Sequence, residues 1–197
     1  MKKVLAATLL CTASVFAAWD YFPVIEQGKG QGQIGSDGTK IRYSPMQNLE
    51  VFAGGNPALN GTVTGARYQI GQLAVGADIA LPIRNVDFGI APNVQFSMEV
   101  TEAVAFGIGA GFGMQFADDT RMNLDVGGEL DLSLGQITFW VGCNVGVPVS
   151  EDGADAEFYP KLGAIFSKDN VSLGTYLTFG TDDDILTRQD IYISVGF

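Results

Sequence analysis

The chain has no histidine. A side chain that exchanges protons near neutral pH is therefore missing, and with it the general base of triad and dyad hydrolases. Cysteine is nearly as scarce. Of the two, Cys11 lies in an N-terminal apolar stretch and only Cys143 lies beyond it, so neither an intramolecular disulfide nor a His/Cys zinc site can be built. Beyond that first stretch no run approaches the ~20 apolar residues a membrane-spanning helix needs. Basic residues are outnumbered, 11 Lys and Arg against 22 Asp and Glu, which disfavours nucleic acid and favours cations. The acidic stretches Glu151–Glu157 and Asp182–Asp184 lack the spacing of a calcium loop and read as a solvated rim. No enzymatic activity, metal or cofactor is expected.

What is present begins with a leader. Lys2 and Lys3 precede an apolar stretch from Val4 to Phe16, and small residues at Val15 and Ala17 suit cleavage after Ala17. The expected organisation is a signal peptide over 1–17 and one domain over 18–197, about 180 residues. Loss of the two lysines takes the formal charge from −11 to −13. Leu10 before Cys11 argues against lipidation of that cysteine.

The dominant pattern has a period of two. In Leu73–Leu81, and again through Val104–Phe116, apolar residues alternate with small or polar ones. Successive side chains of a strand point to opposite faces, so each segment has one apolar and one polar face. Twenty-six of 197 residues are glycine, nearly double the usual share of about 7%. A soluble sandwich would also alternate. Here, however, the polar face is built from Gly, Ala, Asn, Ser and acids, and no segment carries the charge or proline that guards an open edge. The pattern predicts an all-β fold, a transmembrane antiparallel up-and-down barrel.

Turn residues divide the chain into twelve candidate strands, over 27–35, 39–44, 48–55, 62–70, 72–82, 85–98, 103–117, 120–134, 136–148, 157–167, 170–180 and 189–197. Connections alternate in length. Thr181–Arg188, Val149–Ala156 and Gly54–Gly61 are long, whereas Lys168–Asn170, Gly135–Gln136, Gly71–Gln72 and Ser44–Asn48 are tight. Short periplasmic turns and longer outer loops give that alternation and an even strand count. The count is twelve, or ten or eight if the earliest segments stay outside the membrane. Trp19–Pro23 is an aromatic stretch suited to a membrane interface.

Continuing the alternation places charge inside. Asp78, Asp87, Asp125, Glu129 and Asp131 form an expected acidic lumen wall, and Lys40, Arg42, Arg67 and Lys161, with Glu50 among them, a basic one. In a wet lumen such walls filter solutes by charge. In a dry one they pair and fill the barrel. The run Gly107–Gly113 alternates mid-strand and is no phosphate loop, which needs a strand-to-helix turn. Its glycines spare volume, for a wider lumen or for large neighbours such as Trp140. Cys143 falls on the apolar face.

The last strand, with Ile191, Ile193, Val195 and Phe197 on one face, resembles the C-terminal assembly signal of Gram-negative outer-membrane barrel proteins. That resemblance implies residence in the bacterial outer membrane, contact with its lipid and lipopolysaccharide, and delivery by periplasmic chaperones to the barrel-assembly machinery. The segments Asn48–Phe52, Gly65–Gln69 and Leu73–Pro82 are similar to those of small transporter barrels of the phenol meta-pathway type. The expected function is a passive, porin-like channel or transporter for small solutes, cation-preferring. Its rival is a non-conducting barrel with a structural or surface-binding role.

Overall fold

The alternating segments form β1 (Gly30–Gly35), β2 (Gly38–Met46), β3 (Leu49–Asn56), β4 (Gly61–Ile70), β5 (Leu73–Leu81) and β6 (Phe88–Thr101). They continue as β7 (Val104–Phe116), β8 (Arg121–Leu134), β9 (Ile137–Pro148), β10 (Glu157–Lys168), β11 (Val171–Phe179) and β12 (Leu186–Gly196). Each strand pairs antiparallel with its neighbours in sequence, and β1 pairs with β12 to close a twelve-stranded barrel. The computed structural model describes residues 24–36, 38–56, 61–81, 87–117, 120–149, 155–180 and 186–197. The leader, Trp19–Pro23 and Asp182–Asp184 lie outside the described residues.

The outward face is inverted relative to a soluble protein. Ile34 is 65% exposed and Leu173 54%, and Ile41, Val75, Ile108, Leu130, Phe139, Phe166, Ile191 and Ile193 are exposed around the same wall. A continuous apolar belt of this extent belongs in hydrocarbon. Closure serves the same end, because an open edge in lipid would leave backbone N–H and C=O groups without partners. A soluble sandwich is therefore excluded. Ile191, Ile193 and Val195 stand on the belt, and Phe197 exchanges backbone hydrogen bonds with Gly30 at 2.8 and 2.9 Å.

Hairpins at one rim turn through two residues. Asn48 (φ 65°), Gly71 (φ 62°), Gly135 (φ 66°) and Asp169 (φ 55°) supply the left-handed backbone these connections require. Two expectations change here. The tight turn foreseen at Ser44–Asn48 is Gln47–Asn48 alone, because β2 runs on to Met46 through a register shift after Tyr43. The first strand starts at Gly30 and not at 27, because Glu26–Lys29 is itself a turn. Lys29 N donates to Glu26 O at 3.0 Å and Gly28 takes φ 78°.

Candidate functional site

Inward side chains divide the barrel into sectors, and β2–β4 carry the basic one. Glu50 on β3 is fully buried. It lies directly opposite Arg67 on β4 and diagonal to Arg42 on β2, whose direct neighbour is Phe52. Arg67 Nη2 donates to Glu50 Oε1 at 2.8 Å, and Arg42 Nη1 to Oε2 at 3.5 Å. Outer partners orient both guanidiniums: Arg67 Nη1 donates to Gln95 Oε1, and Arg42 Nε to Gln31 Oε1, each at 3.0 Å. The Phe52 ring takes Lys40 Nζ at 5.0 Å and Arg67 Cζ at 5.4 Å from its centroid, within cation–π range. One carboxylate and one aromatic face thus serve three cations, all buried.

The β8 acids stand across the lumen from this sector, whereas Asp78 is on β5, next to the strand that carries Arg67. β8, which carries Asp125, Glu129 and Asp131 inward, is six strands from β2 in the closed ring. Asp78 on β5 accepts from Asn93 Nδ2 at 3.1 Å, and Asp87, just before β6, from Gln115 Nε2 at 3.4 Å. Asp125 accepts from Asn123. Strand β7 separates these groups: Gly107, Gly109 and Gly111 lie opposite Ser97, Gln95 and Asn93 on β6, and Gly111 and Gly113 opposite Asp125 and Asn123 on β8. Asp78, Asp125 and Asp131 are half-buried, whereas Glu129 is buried. Along β5–β9 the interior thus mixes half-buried acids with buried Gln95, Gln115, Glu129 and Trp140.

Lys161 does not join the other cations. It sits on β10, paired with Gly142, whose partner on β8 is Glu129, so it shares a row with an acid two strands away. The structure thus brings together Lys40, Arg42 and Arg67 around Glu50, places Lys161 on the acidic row, and divides the acids between β5–β6 and β8.

A third sector is aromatic. Trp140, Tyr176 and Tyr192 on β9, β11 and β12 are buried inward and pack in series, with ring centroids 5.8 and 6.4 Å apart. Room for them comes from glycine on the neighbouring strand. A Cβ on Gly163 would lie 2.5 Å from Trp140 Cε2, and one on Gly174 would run into the Tyr192 ring. Of the two readings of Gly107–Gly113, a wider lumen or room for large neighbours, the second applies at Gly113, whereas room for Trp140 comes from Gly163. Gly113 accommodates Asn123, while a Cβ on Gly111 would meet only Asn93 Cβ and Pro92 O, at 3.6 Å. Glu50 as a shared anchor, Phe52, Gln95 and the Tyr176–Tyr192 pair escape a reading of single strands. Pairing each inward aromatic with the glycine opposite it on the next strand is the signal that finds the aromatic members, as in Phe52–Gly65, Trp140–Gly163 and Tyr192–Gly174.

A closed barrel with an apolar belt and a charged interior defines a membrane-spanning β-barrel. Solved structures agree on the fold. The NanC porin superposes with a TM-score of 0.60 at 12% identity, covering 86% of this chain and 98% of that one. The KdgM porin gives 0.59 at 14% identity, covering 86% and 98%, and KdgM porin in complex with disordered oligogalacturonate gives 0.55 at 14%, covering 86% and 96%. No family model and no curated protein matches the chain. At these identities the likeness is one of fold, that of outer-membrane porins, and it adds nothing to the resemblance to phenol meta-pathway barrels.

Proposed function

We propose that this protein is a passive channel for small solutes in the bacterial outer membrane, with a preference for cations. The observation that carries the reading is the unequal burial of the interior. Arg42 and Arg67 are buried on Glu50 and Lys40 is buried over Phe52, whereas Asp78, Asp125 and Asp131 remain half-buried. Acids that border accessible space set the local potential there, while the opposite cations are drawn back into the wall. Twelve strands give an interior between the filled eight-stranded barrel and the open sixteen-stranded porin. The apolar belt calls for outer-membrane lipid and lipopolysaccharide, and the amphipathic last strand for periplasmic chaperones and the assembly machinery.

A filled barrel with a structural or binding role is the second reading, favoured by the burial of Trp140, Tyr176, Tyr192 and the basic sector. Single-channel recording in a planar bilayer under a salt gradient decides between them. The expected result is discrete steps with a cation-selective reversal potential, which moves toward zero in the Asp125→Asn/Asp131→Asn variant. Silence from folded protein would select the filled barrel. An unchanged reversal potential in the variant would remove these two acids from the conducting path.

A further inference from the structure

The chain does not enter β1 from outside the barrel. Upstream of the Glu26–Lys29 turn it doubles back under the turn-side rim, where Val24 and Ile25 are half-buried. Ile25 N donates to Glu50 Oε2 at 3.3 Å, and Val24 N to Gln69 Oε1 at 2.9 Å. Both acceptors belong to inward side chains of β3 and β4, and Glu50 is the carboxylate that holds Arg42 and Arg67. The turn behind this segment is braced. Gly28 N donates to Ser44 O at 2.8 Å, and Lys29 Nζ lies 2.6 Å from Glu26 Oε2, a bond that holds the Glu26 carboxyl below the usual carboxylate range. Between the segment and the wall is a cavity of about 300 Å³, bordered by Gln27, Gln47, Asn48 and Gln69.

We propose that Val24–Glu26 is a strap across the turn-side mouth of the barrel, latched to the lumen by Glu50 and Gln69, that narrows the solute path. A backbone segment fastened through its N–H groups to two side chains, with an open pocket beside it, is a held but displaceable element. Its latch is also the anchor of the basic sector, since the oxygen that accepts from Ile25 N, Glu50 Oε2, also accepts from Arg42 Nη1. The strap covers β3–β4, on the side away from β8, so the path it leaves runs past the acidic wall.

This inference rests on the channel reading, and its test separates the two. Three proteins are compared in planar bilayers after their β-structure is verified by circular dichroism. They are the full chain, a variant with residues 18–26 deleted, and the Val24→Pro/Ile25→Pro variant. The last keeps the segment but removes both N–H donors. Several-fold larger unitary conductance in the variants, or steps in the variants where the full chain is silent, is the expected result. The proline variant carries the test if the deletion fails to fold. Equal conductance in all folded forms overturns the strap and leaves the channel standing. Silence in all of them overturns both.

Discussion

Replacement of Glu50 by Gln should destabilise the barrel by about 3–5 kcal/mol, the usual cost of removing one partner from a buried ion pair. The amide preserves shape but not charge. Arg67 keeps its bond to Gln95 and Arg42 its bond to Gln31, yet both guanidiniums lose the carboxylate that bridges them. Desolvation makes this expensive: the side chain of Glu50 has no solvent exposure and that of Arg67 has 3%. Guanidinium unfolding in detergent micelles checks it through the midpoint at unchanged slope. The double variant Glu50→Gln/Arg67→Gln should recover part of the loss, because it removes a stranded cation along with its counter-ion. A shift below about 0.5 kcal/mol, the range of an ordinary surface substitution, would mean that lumen water solvates these arginines in place of Glu50.

The second large effect is expected at Gly163. A valine there should cost at least the ~1–3 kcal/mol typical of overpacking. Its Cβ would lie 2.5 Å from Trp140 Cε2 and 2.6 Å from the backbone oxygen of Thr175, and only the first of these neighbours can move aside. Trp140→Ala alone should cost about 3–5 kcal/mol through the cavity it leaves. Combined, the two should cost less than their sum, since the indole then no longer competes for the space. Additive losses in denaturant midpoints would show that backbone crowding against Thr175, and not the aromatic stack, dictates glycine at this position.

The strands were legible because the barrel wall is two-faced everywhere, so a period of two persists through every crossing. Leu73–Leu81 is recovered within a residue of its sequence-based bounds, and β8 and β9 as closely. What failed was local. Pro45 and Met46 carry no alternation to distinguish strand from turn, and the bulge after Tyr43 breaks the count. At the start, Gln27–Lys29 looks like strand, although Gly28 turns the chain under the barrel. The inward face of each charged residue follows from parity alone, but which charges meet depends on register between strands. That is why Lys161 could be placed inside by counting but not on the row of Glu129. It is also why Glu50 can be counted among the inward cations without its role as the acceptor shared by Arg42 and Arg67.

The ring of pairings is uneven. Eleven of its contacts join strands consecutive in sequence, and these can form hairpin by hairpin with little loop entropy. The twelfth, β1 with β12, joins Gln31 to Gly196 across nearly the whole described chain through five register pairs, extended at its ends by Gly30–Phe197 and Ser36–Ile191 hydrogen bonds, against twelve pairs between β7 and β8. Three of its positions, Gly32, Gly35 and Gly196, have no side chain to add cross-strand contact. The wall is therefore a continuous ribbon closed along one short seam, pinned by side-chain hydrogen bonds from Gln31 to Ser194 and from Ser36 to Asp190. That seam is the one pairing in the ring that requires the two ends of the described chain to meet.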